Sequence, residues 1–287
     1  GDFKWSGIVA LGTQLYCVPF HADAVLLVDA STHAARAIAC GESWNGKWNG
    51  AAAWQGDLYC APFNADDVLV VDTATGSTRT IAAAGVGADV GDFKWAGIAA
   101  LGERLYCAPH NAEGVLVIDP ATGQTHTIAT GQSGCGKWHG IAALGDKLYC
   151  APFNADDVLV IDPVAETTDL LPSGQRGGWK WAGIAALGDR LYCAPHDAEG
   201  VLVVDPATSS SWTIPTGRTG VWKWMGVAAC GDALYCAPCC ADDVLVVHPA
   251  AGKTSGLATG RGGGGHKWAG VAAVGRRLYC APSCADE

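Results

Sequence analysis

A lysine–tryptophan pair returns seven times along this chain, and its spacing limits the fold more than any other feature of the sequence. Four of the six intervals between pairs are 43 residues long, and the other two are 47 and 44 residues. A fixed period of about 40 residues indicates a repeat architecture. A glycine or proline falls every few residues in each unit, which excludes a helical solenoid of similar period. The pairs begin at Lys4, Lys47, Lys94, Lys137, Lys180, Lys223 and Lys267.

Each unit predicts four strands, as residues 97–130 illustrate. The strands cover residues 97–101, 104–108, 115–119 and 125–130. Pro109 ends the second strand because proline has no N–H to donate to a sheet. The continuous apolar run of the third strand is typical of burial on both faces. Four short antiparallel strands in each period make the blade of a β-propeller, so the sequence predicts an all-β, seven-unit β-propeller of four-stranded antiparallel blades.

The seventh unit stops at Glu287, after its second strand, so we expect the last blade to be incomplete. No linker interrupts the pattern. We therefore expect a single domain over residues 1–287, with units that start near the seven lysines and a half unit at the end. The second strand of that half unit, 278–281, should carry an unpaired edge, which is a template for strand addition. We expect another chain or strands of a longer parent protein to cover this edge, or the segment to be poorly ordered.

Residues 148–163 carry a likeness to known repeats. This stretch resembles YVTN and NHL-like propeller repeats, and within it residues 153–155 and 161–162 also resemble units of the virginiamycin B lyase family of seven-bladed propellers. The resemblance implies a propeller fold, which hosts binders, scaffolds and enzymes alike. The cysteine in strand two and the Lys-Trp pair depart from the generic repeat pattern.

The lyase resemblance also implies a chemistry, namely metal-assisted elimination by a histidine and a glutamate. Two loops place these residue types three positions apart, at His110 and Glu113 and at His196 and Glu199. These four residues are the catalytic candidates. The pairs belong to units two apart, and the chain has no nucleophile elbow, phosphate loop or H-E-x-x-H motif, so an enzyme is the less favoured interpretation.

Strand order places two kinds of connection on one face of the ring. The segments with the Lys-Trp pairs lie near the axis there, and the loops between second and third strands lie farther out. Longer loops usually carry function, so a ligand or partner should bind on this face. Drift among degenerate repeats explains the variation between units equally well. The variable residues predicted to bind are Phe20, His21, Phe63, Asn64, His110, His139, Phe153, His196, Trp179, Trp222 and His266.

The invariant Lys-Trp pair has a structural and a functional interpretation. Tryptophans that are alike in every unit are typical of wedges between blades, and a stacking platform for sugars or cations is the alternative. The lysines could surround an anion, but carboxylates recur with the same period and favour ion pairing within or between blades. The recurring carboxylates are Asp23, Asp66, Glu113, Asp156, Glu199, Asp242 and Asp286.

Seven of the thirteen cysteines occupy one repeated position, in a Leu-Tyr-Cys motif. Adjacent blades hold such positions farther apart than the roughly 7 Å that a disulfide spans between Cα atoms, so we expect unpaired, buried side chains. Cys239, Cys240 and Cys284 could approach one another where units six and seven meet, and free thiols are favoured there over a disulfide or a metal. The odd cysteine count favours a reducing intracellular compartment. The repeated cysteines are Cys17, Cys60, Cys107, Cys150, Cys193, Cys236 and Cys280.

Charge and hydropathy exclude two classes of partner. A net charge of −10 without a basic cluster excludes nucleic acid. No run approaches the roughly 18 apolar residues of a spanning helix, so no membrane span is expected, and no motif calls for a cofactor. The favoured function is a non-catalytic scaffold or protein-interaction module, or a subunit of a larger complex, that binds a protein partner through the variable face. The alternatives are a glycan- or small-ligand-binding propeller and a lyase-like enzyme with a His–Glu pair and a metal.

Overall fold

The computed structural model describes residues 2–85, 91–260 and 264–285. Within these residues, 26 strands form seven antiparallel sheets in chain order, six with four strands and the last with two. The first strands of consecutive sheets are neighbours, and that of the seventh sheet lies beside that of the first. The protein is therefore a closed β-propeller with six complete blades and a two-stranded seventh.

The strands are numbered in chain order, and each blade begins with its innermost strand. The innermost strands are β1 (Trp5–Leu11), β5 (Trp48–Trp54), β9 (Trp95–Leu101), β13 (Trp138–Leu144), β17 (Trp181–Leu187), β21 (Trp224–Cys230) and β25 (Trp268–Val274). The second strands are β2 (Gln14–Pro19), β6 (Asp57–Pro62), β10 (Arg104–Pro109), β14 (Lys147–Pro152), β18 (Arg190–Pro195), β22 (Ala233–Pro238) and β26 (Arg277–Pro282).

The two outer strands belong to blades one to six. The third strands are β3 (Ala24–Asp29), β7 (Asp67–Asp72), β11 (Gly114–Asp119), β15 (Asp157–Asp162), β19 (Gly200–Asp205) and β23 (Asp243–His248). The fourth strands are β4 (Ala35–Ala39), β8 (Thr78–Ala82), β12 (Gln124–Ala129), β16 (Thr167–Pro172), β20 (Ser210–Pro215) and β24 (Lys253–Ala258). A short 3₁₀ helix, Pro249–Ala251, connects β23 to β24. No helix among the described residues is long and apolar enough to cross a membrane.

The turn between third and fourth strands shows how the sequence ends a strand. Asp119 is the last residue of β11, and its Oδ1 accepts hydrogen bonds from the backbone N–H groups of Ala121 and Thr122 at 3.0 and 3.1 Å. Gly123 then adopts a φ of 67°, which glycine reaches without a steric penalty. In blade six His248 takes the place of the aspartate, and the 3₁₀ helix forms there instead.

The core lies between blades rather than in one central mass. Trp138 at the start of β13 is 1% exposed and packs with Tyr106 and Ile128 of blade three and with Leu159 of blade four. Its indole Nε1 donates to the carbonyl oxygen of Asp157 at 2.8 Å, so the polar edge of the ring is also satisfied. This arrangement supports the wedge interpretation of the repeated tryptophan.

Six of the seven repeated lysines are buried and Lys4 is half-buried, and carbonyl oxygens accept hydrogen bonds from most of their ammonium groups. The Nζ of Lys137 donates to the carbonyl oxygens of His110, Asn111 and Gly134 at 3.3, 3.1 and 3.0 Å. Burial lowers the pKa of Lys137. The expected pairing with the periodic carboxylates is present among the described residues as Lys94–Asp66, at 3.6 Å, and Asp286 lies outside them. At four of the other lysines the direct partners in the described residues are loop carbonyls, and the periodic carboxylates lie far enough away to act only through their charge, which raises the lysine pKa.

Glycine on each innermost strand lets neighbouring blades approach backbone to backbone. A Cβ atom added to Gly97 would lie 2.8 Å from the carbonyl oxygen of His139, a distance that real side chains do not tolerate. The same approach occurs where the ring closes, since a Cβ on Gly270 would lie 2.9 Å from the carbonyl oxygen of Ser6. The backbone N–H of Lys4 also donates to the carbonyl of Ser283 at 2.9 Å. Blade seven thus meets blade one as every other pair of blades meets.

Candidate functional site

A cavity of about 610 Å³ lies at one face of the ring, and residues from all seven blades line it. The lining comes from the segments before the innermost strands and from the loops between second and third strands, which the sequence assigned to one face. Each of the residues predicted to bind, from Phe20 to His266, lines this cavity. The lining also includes Asn45 and Cys135, which sequence reasoning missed because it did not consider the position two residues before each lysine.

An unbroken circle of aromatic rings runs around the cavity. The centroids of neighbouring rings are 4.6–5.8 Å apart, with most pairs tilted or edge-on, as aromatic pairs prefer. In order around the circle the rings are Phe3, His21, Phe20, Phe63, His110, Phe153, His196, Trp222 and His266, which returns to Phe3.

The residue before each repeated lysine has a left-handed backbone. In two blades it is glycine, and in the other five it is aromatic or histidine, although a side chain in this conformation costs about 1–2 kcal/mol. All seven positions line the cavity. Left-handed non-glycine residues cluster at functional sites, where the surrounding structure holds them in place. The φ values are 53° at Phe3, 70° at Gly46, 63° at Phe93, 64° at Gly136, 61° at Trp179, 58° at Trp222 and 57° at His266.

Side-chain oxygen atoms of asparagine and aspartate in the loops hold these left-handed residues. Asn154 Oδ1 accepts a hydrogen bond from the backbone N–H of Trp179 in the next blade at 2.9 Å. Asn154 Nδ2 donates to the carbonyl of Cys135 at 2.9 Å, so one side chain joins two blades. Asp197 Oδ1 accepts from the N–H of Trp222 at 2.7 Å in the same way. The wall of the cavity is therefore fixed by hydrogen bonds as well as by ring packing.

The floor of the cavity comes from residues that follow the repeated tryptophans, in five of the seven blades: Ser6, Asn49, His139, Met225 and Ala269. In blade four this residue is His139, which lies within a one-residue shift in the pairing of β13 with β14, between Trp138 and Ile141. Such a bulge changes the direction of a side chain. On the floor, Asn49 Nδ2 and His139 Nε2 lie 3.4 Å apart. Below the floor a narrower space of about 190 Å³ continues along the axis between the innermost strands.

The cavity has no acidic or basic side chain in its described lining, and burial favours the neutral form of its deepest histidines. Burial lowers the pKa of His110 to about 4 and that of His139 to about 3, so both imidazoles are neutral. Burial also lowers the pKa of His196, although its 2.8 Å contact with Asp197 acts in the opposite direction. Among the described residues no aspartate, glutamate, lysine or arginine lines the cavity. Its polar groups are imidazoles, amides and small hydroxyl or thiol groups.

The structure does not assemble the two His–Glu candidates. The side chains of Glu113 and Glu199 are exposed, and neither residue lines the cavity. His110 instead lies 3.3 Å from Asn111 Oδ1, and His196 pairs with Asp197. The part of the chain that the structure describes shows no contact between either histidine and its glutamate. A three-residue spacing in an irregular loop does not by itself place two side chains on the same side.

All thirteen cysteines are free. Six of the seven Leu-Tyr-Cys side chains are buried, as predicted, and burial raises the pKa of their thiols, as at Cys17, where it is about 12. Cys280 of blade seven is only half-buried, because no third or fourth strand covers it among the described residues. Of the cysteines at the junction of blades six and seven, Cys239 lines the cavity.

No protein-family model matches the chain, and none of the curated proteins matches it in sequence. Its fold is similar to that of solved virginiamycin B and streptogramin B lyases. Virginiamycin B lyase from Staphylococcus aureus superposes with a TM-score of 0.84, at 11% identity over 99% of this chain and 93% of the lyase. A streptogramin B lyase gives 0.82, at 14% identity over 99% of this chain and 92% of the other.

A third similar structure is a catalytically inactive variant of the Staphylococcus aureus lyase with quinupristin. It superposes with a TM-score of 0.83, at 12% identity over 99% of this chain and 93% of the variant. At identities this low the likeness establishes the propeller fold and nothing about activity.

Proposed function

We propose that the protein binds a small, uncharged, largely apolar molecule in the aromatic cavity on the propeller axis. The observation that carries this proposal is the set of left-handed residues before the repeated lysines. Five of the seven carry a ring although glycine would avoid the backbone cost, and all five line one cavity. A scaffold that needed only a stable ring would gain nothing from this strain.

The size of the cavity supports a small molecule over a broad protein surface. Ligand sites are concave spaces of roughly 300–1,000 Å³ with mainly apolar and aromatic linings and a few placed polar groups. The cavity of about 610 Å³ fits this description, with imidazoles and asparagine amides as its polar groups. Because burial keeps His110 and His139 neutral and no acidic residue, lysine or arginine is in the described lining, a charged ligand would lose hydration without gaining an ion pair there.

The ligand should therefore contain a flat ring that stacks on the wall. Trp179 and Trp222 lie with their ring centroids 4.8 Å apart, and each also contacts His196. Stacking on such surfaces contributes about 0.5–1.5 kcal/mol per aromatic pair beyond burial. A neutral glycan could also stack here, but it would leave most of its hydroxyl groups facing apolar rings.

The test is a thermal-shift screen, followed by calorimetry, with uncharged aromatic compounds, their charged analogues, neutral glycans and quinupristin. We expect uncharged aromatic compounds to stabilise the protein and their charged analogues to have little effect. Trp222→Leu should weaken binding about tenfold, which corresponds to one lost stacking contact. Trp212→Leu is the matched control, because Trp212 is 41% exposed on the outer strand β20. Equal losses in both variants, or preference for charged compounds, would contradict the proposal.

Partner binding through the same face is a second candidate, and one observation favours it. Trp44, Phe93, Trp179 and Val221 are large apolar residues with 41–63% of their surface exposed. Phe93 and Trp179 also line the cavity, and the other two adjoin lining residues in sequence. A protein partner that inserts an aromatic side chain would use both the rim and the cavity. Capture of such a partner should then be abolished by Trp222→Leu and by a saturating small ligand.

A further inference from the structure

The loop after β22 differs from its counterparts in blades two to five. In those blades the first two loop residues are an aromatic or histidine and an asparagine or aspartate, as in Phe153-Asn154 and His196-Asp197. In blade six both are cysteines, Cys239 and Cys240. Beside them lies His266, the left-handed residue before the lysine of blade seven. The ring therefore places two thiols and an imidazole together at one junction.

The three side chains converge. The sulfur atoms of Cys239 and Cys240 and a ring nitrogen of His266 all lie within 4.8 Å of one another. Cys239 Sγ lies 3.6 Å from His266 Nδ1. In a tetrahedral zinc site with Zn–S of about 2.3 Å and Zn–N of about 2.0–2.1 Å, the sulfur and nitrogen ligands are about 3.6 Å apart. The distance between Cys239 Sγ and His266 Nδ1 thus already matches such a site, and shifts of about 1 Å would bring the remaining ligand-to-ligand distances to the required values.

The backbone that carries these ligands is held in place. The N–H of Cys239 donates to the carbonyl of Lys223, and the N–H of Cys240 donates to that of Trp222, at 2.9 and 2.8 Å. The carbonyl of Cys239 accepts from the N–H of Lys267 at 2.9 Å. Cys239 is 2% exposed. A fixed backbone of this kind is what keeps metal ligands near their required geometry.

We infer that Cys239, Cys240 and His266 bind a thiophilic divalent cation of the Zn²⁺ class at the junction of blades six and seven. Two thiolates and an imidazole suit Zn²⁺ and not Mg²⁺ or Ca²⁺, which take oxygen ligands. Three protein ligands leave one coordination position for water or a ligand atom. Because Cys239 and His266 also line the cavity, that position is accessible from the cavity. The inference does not depend on the identity, or the existence, of an organic ligand.

Cys284 of blade seven is close to this group but has another partner. Its sulfur accepts a hydrogen bond from the backbone N–H of Phe3 at 3.4 Å, in the role that Asn154 Oδ1 plays for Trp179. Cys284 therefore holds the left-handed Phe3 and is not assigned to the metal. This assignment separates the two cysteine functions at the junction and makes each testable by substitution.

The test uses the reduced, chelator-treated full chain and titrates it with Co²⁺ and then Zn²⁺. We expect one equivalent of Co²⁺ to give a thiolate-to-cobalt charge-transfer band with the d–d bands of a tetrahedral site, and Zn²⁺ to displace it. Cys240→Ser and His266→Asn should each weaken Co²⁺ binding at least about tenfold, as loss of a ligand does. Asparagine tolerates the left-handed backbone at position 266, and circular dichroism will show that each variant is folded.

Cys135→Ser is the matched control, since Cys135 is another cysteine of the cavity lining and lies outside the three-residue group. It should leave the cobalt spectrum and stoichiometry unchanged. Absence of the charge-transfer band in the reduced protein would overturn the inference. So would an unchanged band in the Cys239→Ser, Cys240→Ser double variant, which would place the metal on other cysteines. A Cys239–Cys240 disulfide found by mass spectrometry in protein purified without reductant, with no metal present, would overturn it as well.

Discussion

Blade four and blade seven start alike and end differently. In both, the repeated tryptophan begins the innermost strand, and the first two strands pair in the same register, Ile141 with Cys150 and Val271 with Cys280. Blade four continues into β15 and β16, whereas the described part of blade seven has two strands. Five of the six residues of β14 are buried, but only one residue of β26 is.

The difference between the two blades shows that the inner and the outer two strands of a blade have separate roles. The inner two strands with their loops are enough to close the ring and to supply the cavity wall, because Lys4, Gly270 and His266 make the same kinds of contact as their counterparts in complete blades. The outer two strands supply the burial that stabilises the second strand. Blade seven should therefore contribute fully to binding and less to stability.

The largest expected difference concerns the repeated tryptophan. Trp138→Ala should lower the free energy of unfolding by about 3–5 kcal/mol, as for other buried aromatic side chains. Trp268→Ala should cost only about 1–2 kcal/mol, because Trp268 is partly exposed and packs against a two-stranded blade. Urea unfolding of both variants measures the difference. Equal costs would mean that blade seven is as well packed as blade four.

Amide hydrogen exchange tests the edge of β26 directly. Backbone N–H groups of Leu278 to Ala281 that do not pair with β25 have no third strand to bond to among the described residues. They should exchange at least about 100-fold faster than those of Leu148 to Ala151, which lie between β13 and β15. Exchange measured residue by residue in the isolated chain gives the ratio. Equal protection would show that the edge is covered.

At the cavity floor, His139 of blade four corresponds to Ala269 of blade seven. The histidine should make the free energy of unfolding depend on pH, and the alanine should not. Burial lowers the pKa of His139 to about 3, below the ordinary value of about 6.5. As the pH falls below about 6.5, the unfolded chain takes up a proton that the folded chain does not, so stability decreases towards pH 3. Between pH 7 and pH 5 the wild type should lose unfolding free energy through His139, and His139→Ala should remove at most about 2 kcal/mol of that loss.

Urea unfolding of the wild type and of His139→Ala at several pH values measures this contribution. Ala269→Ser, a small change at the equivalent position of blade seven, is the control and should leave the pH dependence as in the wild type. Parallel curves for wild type and His139→Ala would mean that the imidazole titrates normally in the folded protein.

The smallest expected difference concerns the repeated thiol. Burial raises the pKa of both Cys150 and Cys280, and the latter value is about 12, so neither forms much thiolate at neutral pH. Because Cys280 is partly exposed, it should react with iodoacetamide about tenfold faster than Cys150 in the native protein. Mass spectrometry of partially labelled protein gives both rates. A faster reaction at Cys150 would contradict the burial of blade four.

The fold could be predicted because its signals are periodic. Glycine, proline and aliphatic runs return with each Lys-Trp pair, and the strands found in blade three start and end within two residues of those predicted for residues 97–130. The gathering of variable residues on one face followed from strand order. The sequence could not show the left-handed backbone at Phe93 or Trp179, because that conformation depends on amides from the preceding blade.

The partners of individual side chains were also beyond the sequence. Glu113 recurs at a fixed distance from His110, yet the loop turns between them and leaves the carboxylate exposed. Lys137 recurs with the carboxylates, yet three carbonyl oxygens surround its ammonium group. Sequence spacing along an irregular segment does not show where a side chain points. It therefore cannot predict which residues form ion pairs or catalytic pairs.

The left-handed position before each lysine also bears on how such a protein could diversify. This position is occupied by glycine in two blades, at Gly46 and Gly136, and by the largest side chain in two others, at Trp179 and Trp222. At the five positions that already carry a ring, a mutation changes the interior of the cavity, whereas a side chain at Gly46 or Gly136 would also displace the amide of Asn64 or Asn154. Those five positions can vary one at a time on the same scaffold, much as hypervariable loops do in antibodies. Selection could then move the protein between ligands in single steps, and a designed library could do the same.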